Sequence, residues 1–369
     1  MSNPQLTSFQ PELVREFAPA GPCPDRARVG YTVINYNTAA ETLQCVASLT
    51  ECSEPPAWIL ILDNASTEAD FEVLRDSLQV ASSSRIQLFR STMNLGFAAG
   101  SNFLIDRLME IGDCEFIGLL NNDAVALPGL IASLREALVC GGDWTGMAGA
   151  RMHKLMNPRE VDTLGIALYA SLMPADRKST ADPYLGPTGG CCLMTRAFVK
   201  DVKATTGYCF DERYFCYCED TDLVLRANLL GYRPRYVDEL SALHKGQASS
   251  SGQYSTFVAY HGLRNAMWMH WKLMPASLLW RFAPWLLLAH VLTIVRQILS
   301  GRVSLLWRVY RDAFRMLPAM LEERARLQLV FRADGLALRK VVSRRFYRQG
   351  YAAVVADEWK RNWLRRRKG

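Results

Sequence analysis

Short apolar runs alternate with segments of helical character over residues 29–150. Four runs rich in β-branched and aromatic residues predict strands at Val29–Tyr36, Trp58–Leu62, Arg85–Phe89 and Glu115–Leu120. Between them, the apolar spacing predicts helices at about 39–50, 68–79, 98–110 and 128–139. This alternation is typical of an α/β fold with a mostly parallel sheet that is covered by helices on both faces. Ligands in such folds bind beyond the carboxyl ends of the strands.

Polar residues follow the predicted strands at that edge. Three strands end in Asn35-Tyr36-Asn37, Asp63-Asn64 and Asn121-Asn122-Asp123, and the remaining strand leads into a loop with Asn94, Gly96 and Asn102. One such ending is common turn chemistry, because Asn and Asp favour turns and helix N-caps. Several at successive strand ends predict one polar cleft, with Asp63 suited to accept a hydrogen bond from a base or a ribose. Asp123 suits a hard divalent cation, which takes carboxylate and phosphate oxygens.

A second acidic cluster, Glu219-Asp220-Thr221-Asp222, follows the aromatic run Tyr214–Tyr217 and precedes a predicted helix that ends near Gly231. Acids in a first helical turn are favoured by the helix dipole, and that is one interpretation. The other is a general base whose pKa is raised by partial desolvation among aromatic rings. His244 follows a further apolar run and is either a metal ligand or a structural histidine.

Other function classes find less support in the sequence. No GxGxxG follows the first strand and no GxxxxGK[ST] occurs, which disfavours a dehydrogenase or an NTPase. The ten cysteines form no CxxC pair, so we expect neither a zinc site nor a disulfide scaffold, and a reducing cytosol fits. Residues 1–27 contain five prolines and no secretory signal pattern, and we expect a poorly ordered leader there.

The segment 276–369 differs from the rest of the chain. It holds twenty Lys and Arg against six Asp and Glu, a net charge of +14, whereas the whole chain carries +7. Ala276–Ser300 is rich in Leu and Trp, but its longest uncharged run, Phe282–Val295, has 14 residues, and a spanning helix needs about 20. We expect a helix in the membrane interface, with Arg281 and Arg296 near headgroups; a core helix fits the same pattern. The basic residues that follow favour an anionic membrane surface.

The motifs together resemble family 2 inverting glycosyltransferases with a GT-A fold, especially their rhamnosyltransferase-like branch. The resemblance covers about 29–272 and rests on the order YTVINYN, ILDNAS, NLGFAAGSN, LLNNDA, GPTGGCCLM, FDERYFCYCEDTDLVLRANLLGYR and HKG. It implies a catalytic domain over 28–275 and a basic, helical, membrane-associating extension over 276–369. Asn121 and Asn122 depart from the family pattern, because stricter members carry an acid there.

The resemblance also implies roles for individual residues. Nucleotide and donor binding falls to Asn35, Tyr36, Asn37, Asp63, Asn64, Asn94, Gly96, Asn102, Asn121 and Asn122. Asp123 and His244 would bind Mg²⁺ or Mn²⁺ on the diphosphate, and Asp220, beside Glu219, would deprotonate the acceptor hydroxyl. Gly189, Gly190 and Asp222 would lie on the acceptor side.

The sequence thus predicts an inverting, metal-dependent glycosyltransferase that moves a sugar, with rhamnose favoured, from a dTDP- or UDP-linked donor to a glycan or lipid-linked acceptor. The expected setting is surface polysaccharide assembly, with the enzyme attached peripherally to the cytoplasmic face of the membrane. A catalytically inactive nucleotide-sugar-binding or scaffold protein is the alternative, supported by Asn121 and Asn122. The interpretation as a nucleic-acid-binding protein rests on the basic tail alone, and no nucleic acid partner is expected.

Overall fold

The computed structural model describes residues 11–17, 28–78, 85–246, 256–333 and 335–351. The strands are β1 (Glu12–Phe17), β2 (Val29–Asn35), β3 (Trp58–Asn64), β4 (Arg85–Ser91), β5 (Phe116–Leu120), β6 (Ala124–Ala126), β7 (Met147–Lys154), β8 (Asn157–Thr163), β9 (Ile166–Leu168), β10 (Pro174–Asp176), β11 (Cys191–Thr195) and β12 (Arg235–His244). The α-helices are α1 (Ala39–Thr50), α2 (Glu68–Ser77), α3 (Gly96–Ile111), α4 (Leu130–Gly141), α5 (Arg196–Thr206), α6 (Glu219–Leu229), α7 (Thr256–Leu273), α8 (Ala276–Leu299), α9 (Val303–Arg315), α10 (Leu317–Gln328) and α11 (Gly335–Arg339). The predicted strands and helices of 29–150 are therefore confirmed to within a few residues.

The main sheet has the strand order β1-β4-β3-β2-β5-β11-β7-β12-β6, and β8 pairs with β7. Its centre, β4-β3-β2-β5, is parallel. Antiparallel pairs of β11 with β5 and of β12 with β6 extend it on the other side. These pairs bring segments distant in sequence to the ends of β2, β3 and β5, where the polar residues lie.

Alternation along the strands explains why helices cover both faces. On β3, Leu60 and Leu62 point into one core and Ile59 and Ile61 into the other, and all four are fully buried. Residues of α3, α5 and α6 belong to the first core, and residues of α1, α2 and α4 to the second. Each fully buried aliphatic side chain is stabilised by about 1.5–3 kcal/mol relative to an exposed one. The predicted α/β fold is confirmed.

The leader differs from the expectation at Glu12–Phe17. This segment forms β1, which pairs antiparallel with β4 and covers the edge of the sheet. The strand lacks a clear alternation of apolar and polar residues, because the adjacent apolar residues Leu13 and Val14 are both exposed, at 51% and 40%. Residues 1–10 and 18–27 of the predicted leader lie outside the described residues.

The C-terminal extension packs on the catalytic α/β layer. Leu278, Leu327 and Leu338 are almost fully buried and belong to the same core as Leu60. Helices α9 and α10 pack against α7. The two sides of the predicted boundary at 275 and 276 therefore share one hydrophobic core. The basic end of the predicted extension, 352–369, lies outside the described residues.

Helix α8 has a mostly exposed apolar surface. Among the described residues it is long and apolar enough to cross a membrane by length and composition, which is weak evidence for a span. The expectation of a helix too short to cross relied on the uncharged run alone, which ends at Arg296. A single arginine near a helix end can extend its charge to the interface, so length does not decide between the two arrangements.

Candidate active site

A cleft of about 1930 Å³ lies at the carboxyl ends of β2, β3 and β5. Most of the predicted site residues line it: Tyr36, Asn64, Asn94, Gly96, Asn121, Asn122, Asp123, Gly189, Gly190, Glu219, Asp220 and His244. Asn35, Asn37, Asp63, Asn102 and Asp222 are not among its lining residues. The fold thus brings together residues from seven sequence motifs, as a ligand site at this edge requires.

Asn35 and Asp63 lie beneath the cleft. Both are fully buried, and the Asn35 Nδ2 donates to Asp63 Oδ1 at 2.9 Å. Thr42 Oγ1 donates to Asn35 Oδ1 at 2.8 Å, and the Ser66 backbone N–H donates to Asp63 Oδ2 at 3.3 Å. These bonds satisfy the polar groups of both residues inside the protein. In this structure the two residues join the ends of β2 and β3, and their contact with the nucleotide stays a prediction.

Asn37 and Asn102 hold loops rather than line the cleft. Asn37 is exposed, and its Oδ1 accepts a hydrogen bond from the Thr67 backbone N–H at 2.8 Å. Asn102 donates to the Phe210 carbonyl at 2.8 Å and accepts from the Phe210 N–H at 2.9 Å. This pair of bonds ties α3 to the segment before the acidic cluster. Neither side chain is among the residues that line the cleft, and their roles in donor binding stay predictions.

Asn64 both lines the cleft and fixes the loop that begins α3. Its Oδ1 accepts from the Leu95 N–H at 2.8 Å, and its Nδ2 donates to Asn94 Oδ1 at 3.1 Å. Gly96 has φ +74°, and a Cβ there would lie 2.5 Å from the Phe215 carbonyl oxygen. Only glycine allows this approach, which brings the loop against the segment that carries the acidic cluster.

Asp123 and His244 meet because β6 and β12 pair antiparallel, with His244 opposite Ala124. The His244 Nε2 lies 3.0 Å from Asp123 Oδ1, and its Nδ1 lies 2.7 Å from Asp162 Oδ2. Burial disfavours the charged imidazole, but the hydrogen bonds to the two carboxylates outweigh it and raise the pKa of His244 to about 10. Asp162 lies on β8 and was not predicted as a site residue.

The chemistry of this pair fits Mg²⁺ or Mn²⁺ when a cation takes the place of the proton on His244 Nε2, because a metal-binding imidazole is neutral. A carboxylate oxygen and an imidazole nitrogen lie side by side, and Asp162 orients the imidazole from the other ring nitrogen, as carboxylates commonly do for metal-binding histidines. The residues described include no group of three or more His, Cys, Asp and Glu arranged to hold a metal ion. Phosphate oxygens and water would therefore supply the remaining ligands, which is usual for these cations.

Asn121 and Asn122 surround Asp123 with neutral amides. The Asn121 Nδ2 lies 3.4 Å from His244 Nε2, and its backbone N–H donates to the Gly190 carbonyl at 2.9 Å. The Asn122 Nδ2 donates to Thr38 Oγ1 at 2.6 Å. Both amides thus hold the strand end in position, and neither adds negative charge to the cation position.

Asp220 faces the cleft from the first turn of α6. Its Oδ2 accepts from the Gly189 N–H at 3.0 Å and its Oδ1 from the Thr221 N–H at 2.6 Å. Burial raises the pKa of the Asp220 carboxyl, although these backbone hydrogen bonds oppose the shift. A Cβ on Gly189 would lie 3.4 Å from the Asp220 Cβ and 3.1 Å from Phe97, so the glycine permits this close contact. The arrangement is a half-buried carboxylate, fixed in orientation and more basic than usual.

Glu219 lies beside it and is only 6% exposed. Its Oε2 is buried and has no hydrogen-bond partner among the described residues. Burial first, and then the neighbouring charge of Asp220, raise the pKa of the Glu219 carboxyl well above its usual range. A protonated Glu219 can donate a hydrogen bond, so this side chain is a polar contact for a ligand in the cleft.

The segment 215–218, which leads into Glu219, has an unusual backbone. Phe215, Tyr217 and Cys218 have positive φ of 65°, 65° and 68°, each of which costs about 1–3 kcal/mol in a residue other than glycine. Asn265 on α7 holds the segment, because its Nδ2 donates to the carbonyls of Tyr214, Cys216 and Tyr217 at 3.0, 2.9 and 2.7 Å. Sequence reasoning missed Asn265, since nothing local marks an asparagine inside a helical run.

Asp222 lies in a buried network of ion pairs, and its predicted place on the acceptor side stays a prediction. It is fully buried and accepts hydrogen bonds from Arg226 at 2.7 Å and Lys272 at 2.5 Å. Lys272 also donates to Asp211 at 2.6 Å. Burial disfavours the Asp211 carboxylate, but Lys272 and Arg213 outweigh it and lower its pKa. This network fastens α7 to α6, directly behind the acidic pair.

Comparison with known proteins agrees with this geometry. Residues 32–202 match the model of glycosyl transferase family 2. N-acetylglucosaminyl-diphospho-decaprenol L-rhamnosyltransferase of Mycobacterium tuberculosis is 27% identical over 256 residues, which cover 62% of this chain and 79% of that protein. Rhamnosyltransferase WbbL of Escherichia coli K12 is 40% identical over 52 residues, or 14% of this chain and 20% of its own length.

A solved structure shows the same fold. GalNAc-T7, crystallised with UDP, GalNAc and Mn²⁺, superposes with a TM-score of 0.52 at 13% identity over 70% of this chain. The chain spans about half of that structure's length, 49%. The fold is that of a GT-A protein. Residues 32–202 therefore match a glycosyl transferase family 2 domain, and rhamnosyltransferases are among the relatives of this chain.

Proposed function

We propose that this protein is an inverting glycosyltransferase that uses a nucleoside diphosphate-sugar, with Asp220 as general base. The observation that carries the proposal is the position of Asp220, fixed by two backbone amides in the same cleft as Asp123 and His244. Neutral carboxylic acids cannot accept the acceptor proton, but a carboxylate of raised pKa accepts it readily. Its location beside Gly189 leaves the open cleft in front of it for an acceptor.

The reaction is a single displacement. The acceptor hydroxyl transfers its proton to Asp220 while its oxygen forms a bond to the anomeric carbon of the donor sugar. The bond from that carbon to the diphosphate breaks, and the nucleoside diphosphate leaves with the electron pair. Because one displacement takes place, the anomeric configuration is inverted. General-base assistance of this kind is worth about 10²–10⁴-fold in rate.

Asp123 and His244 would hold the cation, Mg²⁺ or Mn²⁺, with Asp162 orienting the imidazole. A bound cation of this type would neutralise the negative charge that develops on the diphosphate as it leaves. Asn121 and Asn122 add no charge, so the net charge at this point is set by Asp123, Asp162 and the protonation of His244. Mn²⁺ in the GalNAc-T7 structure supports the assignment of a divalent cation.

The relatives support the choice of sugar and acceptor. One of them is named as an L-rhamnosyltransferase of a diphospho-decaprenol-linked sugar, and the other as a rhamnosyltransferase. We infer that rhamnose, linked to dTDP or UDP, is the donor sugar and that the acceptor is a glycan or lipid-linked saccharide. Surface polysaccharide assembly at the cytoplasmic face of the membrane is the setting that suits both substrates.

Helix α8 supports peripheral attachment to an anionic membrane. Trp280, Trp285 and Leu287 are exposed at 82%, 49% and 66%, so the helix presents a large apolar surface to its surroundings. The extension carries a net +14, and each basic residue near an anionic surface contributes about 1 kcal/mol to binding. Tryptophan at such a surface is typical of a membrane interface.

Asp220→Asn tests the base directly. Transfer should fall by about 10²–10⁴-fold, because the amide keeps the size of the side chain but cannot take a proton. Binding of UDP or dTDP, measured by calorimetry, should stay within a few-fold of wild type. Asp106→Asn is the matched control, since Asp106 pairs with Lys203 outside the cleft and its loss should leave transfer unchanged.

Transfer at the wild-type rate by Asp220→Asn would exclude Asp220 as the base. A wild-type protein that binds nucleotide-sugars but neither transfers nor hydrolyses them would favour the alternative, an inactive binding or scaffold protein.

A further inference from the structure

The cleft continues past Asp220 to the C-terminal extension. Its far end is lined by Arg296 and Gln297 of α8, Arg302 between α8 and α9, and Arg348 and Tyr351 of the last described segment. These residues lie in a part of the chain that the family match at 32–202 does not include. Their chemistry differs from that of the strand-end site, because they contribute arginines instead of carboxylates.

The arginines at this end are held close together. Arg296 donates through Nη1 to the Tyr351 hydroxyl at 2.6 Å, and its guanidinium lies 5.7 Å from the centre of the same ring. The Arg348 guanidinium lies 5.9 Å from that ring centre. Arg348 also lies 3.9 Å from Asp176, whose side chain is 45% exposed, so this ion pair is weak. The two guanidinium groups beside one tyrosine ring place two positive charges where an anion can bind.

Gln297 provides a second, independent sign of a ligand. It is 5% exposed, lines the cleft, and its Oε1 has no hydrogen-bond partner among the described residues. Buried amide oxygens are nearly always hydrogen-bonded, so an orphaned one that faces a cleft points to a donor group on a bound molecule. Its neighbour Arg302 donates its backbone N–H to the Gln297 carbonyl at 2.8 Å, which links the two residues.

The same end opens onto the apolar surface of α8. Leu292 and Val295 line the cleft and are 49% and 44% exposed. Leu288 and Val291, each about one turn before them, are 40% and 46% exposed and continue the same face. The positively charged end of the cleft is therefore adjacent to an exposed apolar surface along the helix.

We propose that Arg296, Gln297, Arg302 and Arg348 form a subsite for the diphosphate of a lipid-linked acceptor, whose hydrocarbon chain lies along the exposed face of α8. Guanidinium groups bind phosphate oxygens in pairs and with defined geometry, which suits a diphosphate. The proposal rests on the proposed function, since it gives the acceptor of that reaction a place in the same cleft. The acceptor sugar then extends from this subsite toward Asp220.

The test measures binding of farnesyl diphosphate to the full-length protein by calorimetry, with UDP and Mg²⁺ in saturating amounts so that the donor position is filled. Arg302→Gln and Arg348→Gln should each weaken binding by about tenfold or more, as expected for the loss of a charge-assisted hydrogen bond. Arg315→Gln, which removes one exposed charge of α9 away from the cleft, should have no such effect. Farnesol, which lacks the diphosphate, should bind equally weakly to all variants.

Three results would overturn the subsite. Unchanged farnesyl diphosphate affinity in both cleft variants would do so, and so would equal weakening by Arg315→Gln. Vesicles of phosphatidylglycerol that lose binding to the same variants to the same extent would indicate a general membrane surface instead. UDP affinity distinguishes failure of the proposed function from failure of the subsite. A protein that binds no UDP would contradict the proposed function. Normal UDP binding, together with unchanged farnesyl diphosphate affinity in the cleft variants, would contradict only the subsite.

Discussion

Asn265→Ala is the most informative perturbation outside the acidic pair itself. The side chain touches no part of the cleft chemistry, but its amide holds the carbonyls of Tyr214, Cys216 and Tyr217. These belong to the positive-φ backbone that sets the direction of α6 and therefore of Asp220. Removing the amide should let this backbone relax and move the base.

The free-energy cost of Asn265→Ala follows from the hydrogen bonds that the substitution removes. The Tyr214 carbonyl keeps two other donors, the Cys216 N–H at 2.8 Å and Arg264 Nη2 at 3.3 Å. The loss therefore falls on the part-buried carbonyls of Cys216 and Tyr217, and at about 0.5–1.5 kcal/mol for each hydrogen bond it amounts to about 1–3 kcal/mol. The strain of the positive-φ residues is of similar size, so the segment relaxes without the amide. A displacement of the base by about 1 Å is enough to lower the rate about 100-fold.

The assay is the transfer rate under saturating donor, beside urea unfolding of the same samples. Asn228→Ala is the matched control, because Asn228 is also a buried asparagine that donates to two carbonyls, those of Leu185 and Val224. Both variants should lose stability, but only Asn265→Ala should lose about 10²-fold in turnover of the folded protein with nucleotide affinity retained. Equal turnover of the two folded variants would refute the positioning role of Asn265.

Two further predictions concern metal and pH. Asp123→Ala should weaken UDP binding in the presence of Mn²⁺ to the level that wild type shows in excess chelator, because the diphosphate loses its counter-ion; full wild-type activity in chelator would contradict this. His270, whose Nε2 donates to the Leu172 carbonyl at 2.7 Å, has its pKa lowered to about 4 by burial. Its contribution to stability is present above pH 6.5 and is lost as the pH falls toward 4, roughly 2.5 kcal/mol between pH 7.5 and 4.5. Urea unfolding at both pH values should show that His270→Gln loses less stability on acidification than wild type. An unchanged pH dependence of stability would exclude His270 as the group responsible.

The parallel half of the sheet could be read from the sequence because each strand is a short, nearly continuous apolar run. On β3 every residue is buried, and such runs between turn residues predict central strands. Local pattern also located the cleft, since polar residues at the ends of parallel strands meet at one edge. The antiparallel part was harder, because its pairing depends on contacts between distant segments.

Individual side chains at the site were less predictable. Asp63 and Tyr36 both follow a strand, but whether a side chain points into the cleft or beneath it depends on the strand's exact end and twist. Asp222 belongs to the same acidic cluster as Asp220, but its hydrogen bonds with Arg226 and with Lys272, far along the chain, hold it in a buried position. Asp162 is one acid on a mostly exposed strand, and its contact with His244 arises from the pairing of β7 with β8 and β12.

The pairing of β6 with β12 has a consequence for folding. Asp123 and His244 are separated by roughly 120 residues, and contacts of such long range form late because the intervening loop must first be closed. Only three residue pairs fix their register. A slip by one residue would replace His244 with Leu243 or Lys245 beside Asp123 and turn the imidazole to the opposite face. Cation affinity at this position would therefore report on whether β6 and β12 have paired in the correct register.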